Sequence, residues 1–164
     1  MVNQETQDRN GSESQAQAQL DSIKLMVKRL EHAQQCNGDD CELTDAEMLD
    51  GLEYLSGPET TKEEREQYHD EDAARDRIQE APLSVQVRSG WYPPGDTPEA
   101  EEYEILLCTG GPAVRIIGRL GAYNQPDSAR LQHQDWFTPW QELITTGEDQ
   151  AALLSYAGAF YFGE

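Results

Sequence analysis

Glu102-Tyr103-Glu104-Ile105-Leu106-Leu107-Cys108-Thr109-Gly110-Gly111-Pro112-Ala113-Val114-Arg115-Ile116-Ile117-Gly118-Arg119-Leu120 is the stretch that decides the fold. Tyr103, Ile105 and Leu107 recur at every second position, the period of a strand with one buried face. Gly110-Gly111-Pro112 suits a tight connection, and the segment from Ala113 to Leu120 resumes as a second strand. Upstream, Leu83-Ser84-Val85-Gln86-Val87-Arg88 alternates in the same way. A Gly- and Pro-rich loop from Gly90 to Pro98, carrying Trp91 and Tyr92, separates it from the hairpin. Downstream, Asn124-Gln125-Pro126-Asp127 turns the chain into another strand, Ala129 to about Asp135, and Thr138-Pro139 breaks it. A last helix, roughly Glu148 to Phe162, places Leu153, Tyr156, Ala157 and Phe160 on a face that can cover a sheet. The pattern predicts an α+β fold: a four-stranded antiparallel sheet packed by a C-terminal helix and preceded by an acidic helical region.

Three regions follow from composition: a flexible tail over 1–17, an acidic helical region over 18–81, and an α+β core domain over 82–164. The tail is rich in Gln, Ser and Asn, with too little apolar surface to offset the entropy of ordering. From Gln19 onward, Leu20, Ile23, Val27 and Leu30 form one helical stripe, ended by Asn37-Gly38. A second helix is expected from Thr44, where Thr44-Asp45-Ala46-Glu47 reads as a capping box ahead of Met48, Leu49, Leu52 and Leu55. A third is expected from Thr60 to Glu80, with a box at Thr60 and Glu63 and almost no apolar stripe.

The formal net charge of the 164 residues is −20. It is concentrated, for residues 39–80 hold sixteen acids against four bases. Such a balance argues against direct binding to nucleic acid or an anionic membrane and favours capture of a basic protein surface. No apolar run approaches the roughly 18 residues of a bilayer-spanning helix. The first six residues lack the basic and apolar regions of a secretory signal, and three cysteines do not make a disulfide framework. These features predict a cytoplasmic protein.

The acidic segment supplies the first candidate site. On one continuous helix Glu63, Glu66 and Asp70 form a line of carboxylates about 5–6 Å apart. Glu64 and Glu71 lie on a neighbouring line, with Asp72 beside them. Rows of this kind can imitate a nucleic-acid backbone, although a solvated helix with Arg65, Arg75 and Arg77 as counter-charges has the same sequence. The second candidate is aromatic: Asp135-Trp136-Phe137-Thr138-Pro139-Trp140, which Trp91 and Tyr92 would extend, is either a plug for the sheet edge or a binding hot spot. Metal and cofactor are not expected. The acids around Asp39 lack a calcium-loop spacing. Cys36 and Cys41 have a spacing that zinc tolerates, but His32, His69, His133 and Cys108 are scattered in sequence. Nor is an active site expected. His133 and Asp135 share a strand face, yet no nucleophile is indicated, so the chain reads as a non-enzyme.

Ser84-Val85-Gln86-Val87-Arg88-Ser89-Gly90-Trp91, Glu104-Ile105-Leu106-Leu107-Cys108-Thr109-Gly110-Gly111-Pro112-Ala113, Asp135-Trp136-Phe137-Thr138-Pro139-Trp140 and Phe160-Tyr161-Phe162-Gly163-Glu164 together resemble a family of small acidic proteins. That family is carried by bacterial plasmids, integrative elements and prophages. The resemblance covers about residues 83–164 and transfers no catalytic residues. What it implies is a setting in which small acidic proteins often block host restriction or CRISPR machinery. The expectation is an inhibitor of anti-CRISPR or antirestriction type that engages a basic surface through Glu63, Glu64, Glu66, Asp70, Glu71 and Asp72. The alternative is an accessory or immunity-type module binding through Trp91, Trp136 and Trp140.

Overall fold

The computed structural model describes residues 4–39, 41–44, 47–48 and 61–163. Along the chain they form α1 (Gln4–Gln35), α2 (Lys62–Tyr68), α3 (Glu71–Glu80), β1 (Ser84–Arg88), β2 (Glu102–Cys108), β3 (Ala113–Arg119), β4 (Arg130–Gln134), β5 (Gln141–Glu142) and α4 (Gly147–Ala157). The strands make one antiparallel meander in the order β1-β2-β3-β4-β5. Ile105 lies opposite Ile116, and Ile116 opposite Leu131, so the apolar parity of the hairpin is carried across the sheet.

The α+β class and the helices at both ends stand, but the sheet has five strands where four were expected. The extra strand, Gln141–Glu142, is two exposed polar residues and carries no period to read. It is held by pairing with His133 and Gln132, and by the Leu143 amide, which donates to the Leu131 carbonyl at 2.9 Å. The C-terminal helix is also shorter than its pattern, ending at Ala157. Phe162 lies beyond it and packs on the Tyr103 ring, centroids 4.8 Å apart. Burial pushes the Tyr103 phenol well above its ordinary pKa, and its hydroxyl donates to the Ser128 carbonyl at 2.6 Å.

The larger correction is at the N-terminus. Where a flexible tail was expected over 1–17, the chain is helical from Gln4, and Ser12 and Ala16 are buried. Ala and Gln are good helix formers, and small side chains at 12 and 16 let the helix approach the sheet closely. A hydrophobicity reading scores neither property. The stripe continues through Leu20, Ile23, Val27 and Leu30, all buried. α1 packs on β3 and β4 and against α3 and α4. One apolar core therefore joins Leu20 and Ile23 of α1, Ile78 of α3, Ile105, Ile116 and Leu131 of the sheet, and Leu153 and Tyr156 of α4. The boundary expected at 81/82 does not divide this core.

The acidic region is also built differently. The expected helix from Thr60 to Glu80 is two helices that break at His69 and Asp70, with the Asp70 side chain accepting from the Ala73 amide to start α3. The capping box lies one residue later than expected, at Thr61 and Glu64. The box expected at Thr44 is present: the Thr44 amide donates to Glu47 at 2.9 Å, and the Glu47 amide to the Thr44 hydroxyl at 3.3 Å. Met48 follows, fully buried, while Leu49, Leu52 and Leu55 fall outside the described residues. Among the described residues no helix is long and apolar enough to cross a membrane.

Candidate functional site

The six acidic candidates do not form one row. Because the helix breaks after Tyr68, Asp70 is the cap of the next helix, and the Glu63–Glu66–Asp70 and Glu64–Glu71 lines are interrupted. Several of these carboxylates have local work. Glu64 closes the box on Thr61, Glu71 pairs with Arg75 at 2.8 Å and accepts from Gln34 at 3.3 Å, and Glu66 faces Lys62 at 3.8 Å. Glu63, Glu66, Asp70 and Asp72 are exposed, as are Asp76 and Glu80, which the sequence reading did not single out. What remains is a surface of carboxylates spread over two short helices.

The three tryptophans do not form one patch either. Trp91 is in the loop that joins β1 to β2, whereas Trp136 follows β4, at the end of the sheet where Gly110 to Pro112 joins β2 to β3. In a meander those ends lie one strand length apart, about 20 Å for a strand of this size. Trp140 is half-buried, with the Arg115 guanidinium 4.1 Å above its ring centre, while Arg115 also donates to Glu104 at 2.7 Å and Gln132 at 3.0 Å. Arg115 lies opposite Leu106, two residues from Glu104 on the same face of β2, so the pair can meet diagonally across the strands.

Trp136 and Phe137 are the exposed pair, their ring centroids 6.1 Å apart. The turn that displays them is tied by the Asp135 amide donating to the Thr138 hydroxyl at 3.2 Å and by Gln134 donating to the Thr138 carbonyl at 2.6 Å. Gly111 has φ +94°, and a Cβ there would run into the Trp136 indole, so this glycine seats the ring.

His133 and Asp135 do acquire a serine partner that the sequence did not indicate. The Ser12 hydroxyl of α1 donates to Asp135 Oδ2 at 2.7 Å and lies 2.9 Å from His133 Nδ1. With its proton committed to the Asp135 oxygen, Ser12 accepts from Nδ1–H. The imidazole then offers it no lone pair, and an activated serine needs one. Ser12 and His133 are also buried, at 2% and 4% exposure, which closes the hydroxyl to a substrate. The trio fastens the first third of α1 to β4.

The constellation that the sequence reading missed is His32, Cys36, Cys41 and His69. Their four ligand-capable atoms lie within 4.8 Å of one another. The two imidazole Nε2 atoms are 3.1 Å apart, and Cys41 Sγ is 3.4 Å from His32 Nε2 and 3.2 Å from His69 Nε2. His32 sits in the last turn of α1, and Cys36 follows it by one helical turn, its amide donating to the His32 carbonyl at 2.9 Å. The Asn37-Gly38 turn brings Cys41 back, and His69 arrives from the end of α2. Gly38 has φ +93° and rides on the His69 ring, where a Cβ would stand 3.3 Å from Cγ. Burial, then His69 and Lys28, hold His32 below the usual imidazole range. These histidines are scattered in sequence but not in space. The i,i+4 pair of His32 and Cys36 was a legible half of the signal; the contribution of His69, 28 residues after Cys41, was not. Cys108 and His133 lie elsewhere, in the sheet.

No family model, curated protein or solved structure matches this chain.

Proposed function

We propose that this protein works by binding a basic protein surface through the exposed carboxylates of α2 and α3. In the fuller form of the reading it is an inhibitor, carried by a phage or mobile element, of a host nucleic-acid-binding defence complex of anti-CRISPR or antirestriction type. The observation that carries the proposal is the placement of charge. Sixteen acids stand against four bases in residues 39–80, and Glu63, Glu66, Asp72 and Asp76 point outward from helices whose buried residues are few. Such a density exceeds what solubility requires, and it would attract clustered Lys and Arg over a Debye length of about 8 Å at physiological salt.

The test reverses charge at Glu63, Glu66, Asp72 and Asp76 together, leaving Glu64, Asp70 and Glu71 to their caps and ion pair. Inhibition of DNA cleavage is then measured against a panel of restriction nucleases and CRISPR effectors at low and high salt. The wild type should inhibit one class in a salt-sensitive manner and the reversed protein should not. Equal inhibition by both proteins would remove the acidic surface from the mechanism, and no inhibition by the wild type would remove the inhibitor reading.

A second reading is favoured by one observation. Phe137 is fully exposed in a left-handed backbone conformation, φ +63°, at a tied turn beside exposed Trp136. A non-glycine residue held there costs backbone energy that a binding tip would justify. In that case Trp136→Ala with Phe137→Ala should abolish binding at every salt concentration.

A further inference from the structure

We propose that His32, Cys36, Cys41 and His69 hold one structural zinc ion, and that this centre fixes the acidic helix α2 to the end of α1. In a tetrahedral zinc site the edges between donor atoms are about 3.3 Å for two nitrogens and about 3.6 Å for nitrogen and sulfur, from ordinary zinc–ligand distances. The spacings of 3.1, 3.2 and 3.4 Å among His32 Nε2, His69 Nε2 and Cys41 Sγ lie close to those edges. Cys36 completes the set within the 4.8 Å span.

The surroundings orient the donors. His69 Nδ1 is 2.7 Å from the Arg65 carbonyl, which can only accept, so the ring proton is on Nδ1 and the Nε2 lone pair faces the other donors. A backbone carbonyl behind a ligating imidazole is the usual outer support of a metal site. Gly38 lets the chain wrap over the His69 ring to deliver Cys41, which an L side chain at φ +93° would resist.

The donor set selects the ion. Two thiolates with two neutral imidazoles suit zinc, whereas magnesium and calcium require oxygen ligands. The two thiolate charges cancel the ion's, so the centre is neutral and suits a half-buried position. Four protein donors leave no position for substrate or water, which makes the centre structural and not catalytic.

The fold also has a use for it there. α2 is a single seven-residue helix that buries only Tyr68, and Tyr68 and Met48 lie outside the main apolar core. So small an apolar contribution is of the kind that natural proteins supplement with a metal. Arg29 reaches over from α1 to donate to the Gln67 carbonyl at 2.7 Å, a further polar tie to this segment. The zinc centre stands whether or not the acidic surface has the partner proposed above.

The test uses the full chain without a histidine tag, produced with zinc, iron, copper and nickel all in the medium and purified reduced. Elemental analysis should find one zinc per chain, and less than a tenth of that in the Cys36→Ser/Cys41→Ser protein. Cys108→Ser should keep the metal in full. Wild-type protein stripped of metal and titrated with cobalt(II) should give the visible bands of a tetrahedral thiolate site, which needs no variant to fold. An octahedral cobalt spectrum, less than ~0.1 zinc per chain in the wild type, or full zinc in the double variant would overturn the assignment. Stoichiometric iron or copper in place of zinc would overturn the choice of ion.

Discussion

Strands β2 to β4 and helix α2 stand in one molecule but cohere by different means. In the strands the apolar parity is unbroken: Ile105, Ile116 and Leu131 are fully buried and face one another across the register. β3 and β4 also meet the helical layer, so their contacts are redundant. In α2 a single aromatic side chain is buried, and among the described residues polar contacts help attach it: the Arg29 hydrogen bond and the convergence of His69 with His32 and Cys41. The apolar region gains stability by area and tolerates rearrangement of its partners. The polar region depends on a few directed contacts, and removing one leaves others without a partner.

The difference should be largest when each region is struck at its own means of cohesion. Ile116→Ala removes a side chain at the centre of the sheet and should cost about 2–5 kcal/mol, with sheet and helices lost together in urea. Stripping metal with a chelator should act on the other region alone. Hydrogen exchange should accelerate in residues 62–70, while amides of β2 to β4 keep their protection. Equal acceleration in both would mean that the two regions open as one unit.

Ser12→Ala tests where a polar fastening serves the apolar half. It leaves His133 Nδ1 without its acceptor and Asp135 Oδ2 without its donor, at a cost of about 1–3 kcal/mol. The loss should be felt first as faster exchange in the opening turns of α1. Gly111→Ala strikes one side chain. With φ +94° and the indole in the way, the added methyl must displace Trp136, at about 1–2 kcal/mol. Trp136 fluorescence should shift, and an unchanged emission would mean that the ring is not seated on the turn.

The same division explains what could be read from the chain. Strands β2 to β4 were legible because burial on one face writes a period of two into the residues, and Tyr103, Ile105 and Leu107 carry it plainly, whereas β1 alternates in sequence but leaves Val87 exposed. β5 was not, since two exposed residues paired through the backbone have no period. The first half of α1 was obscured because Ser12 and Ala16 are buried for their small size, and one of them for its hydroxyl. In the candidate sites, exposure of the acids was legible but the interruption at His69 and Asp70 was not. The break depends on a side chain, Asp70, that caps the next helix where a helical pattern would have placed it as a row member. His69 was invisible as a ligand for a related reason: polar convergence depends on tertiary geometry and leaves no periodic mark.

The smallest effect is expected at Asp149, a carboxylate that ties α4 to α1. The Thr146 amide, which donates to it at 3.0 Å, and then Lys24, at 3.0 Å on α1, hold its carboxyl below the ordinary aspartate range. A carboxyl whose folded pKa is depressed contributes stability above its unfolded pKa and loses it as pH falls through the folded one. The contribution is therefore present at neutral pH and fades below about pH 4. Asp149→Asn should lower the melting temperature slightly at pH 7, and the two proteins should converge as pH falls through the depressed pKa of the folded carboxyl. An Asn variant as stable as wild type at pH 7 would mean that the Thr146 cap holds without charge, and that α4 stays on α1 by apolar contacts alone. The two regions would then differ even more sharply, because the sheet and its covering helices would owe nothing to this ion pair.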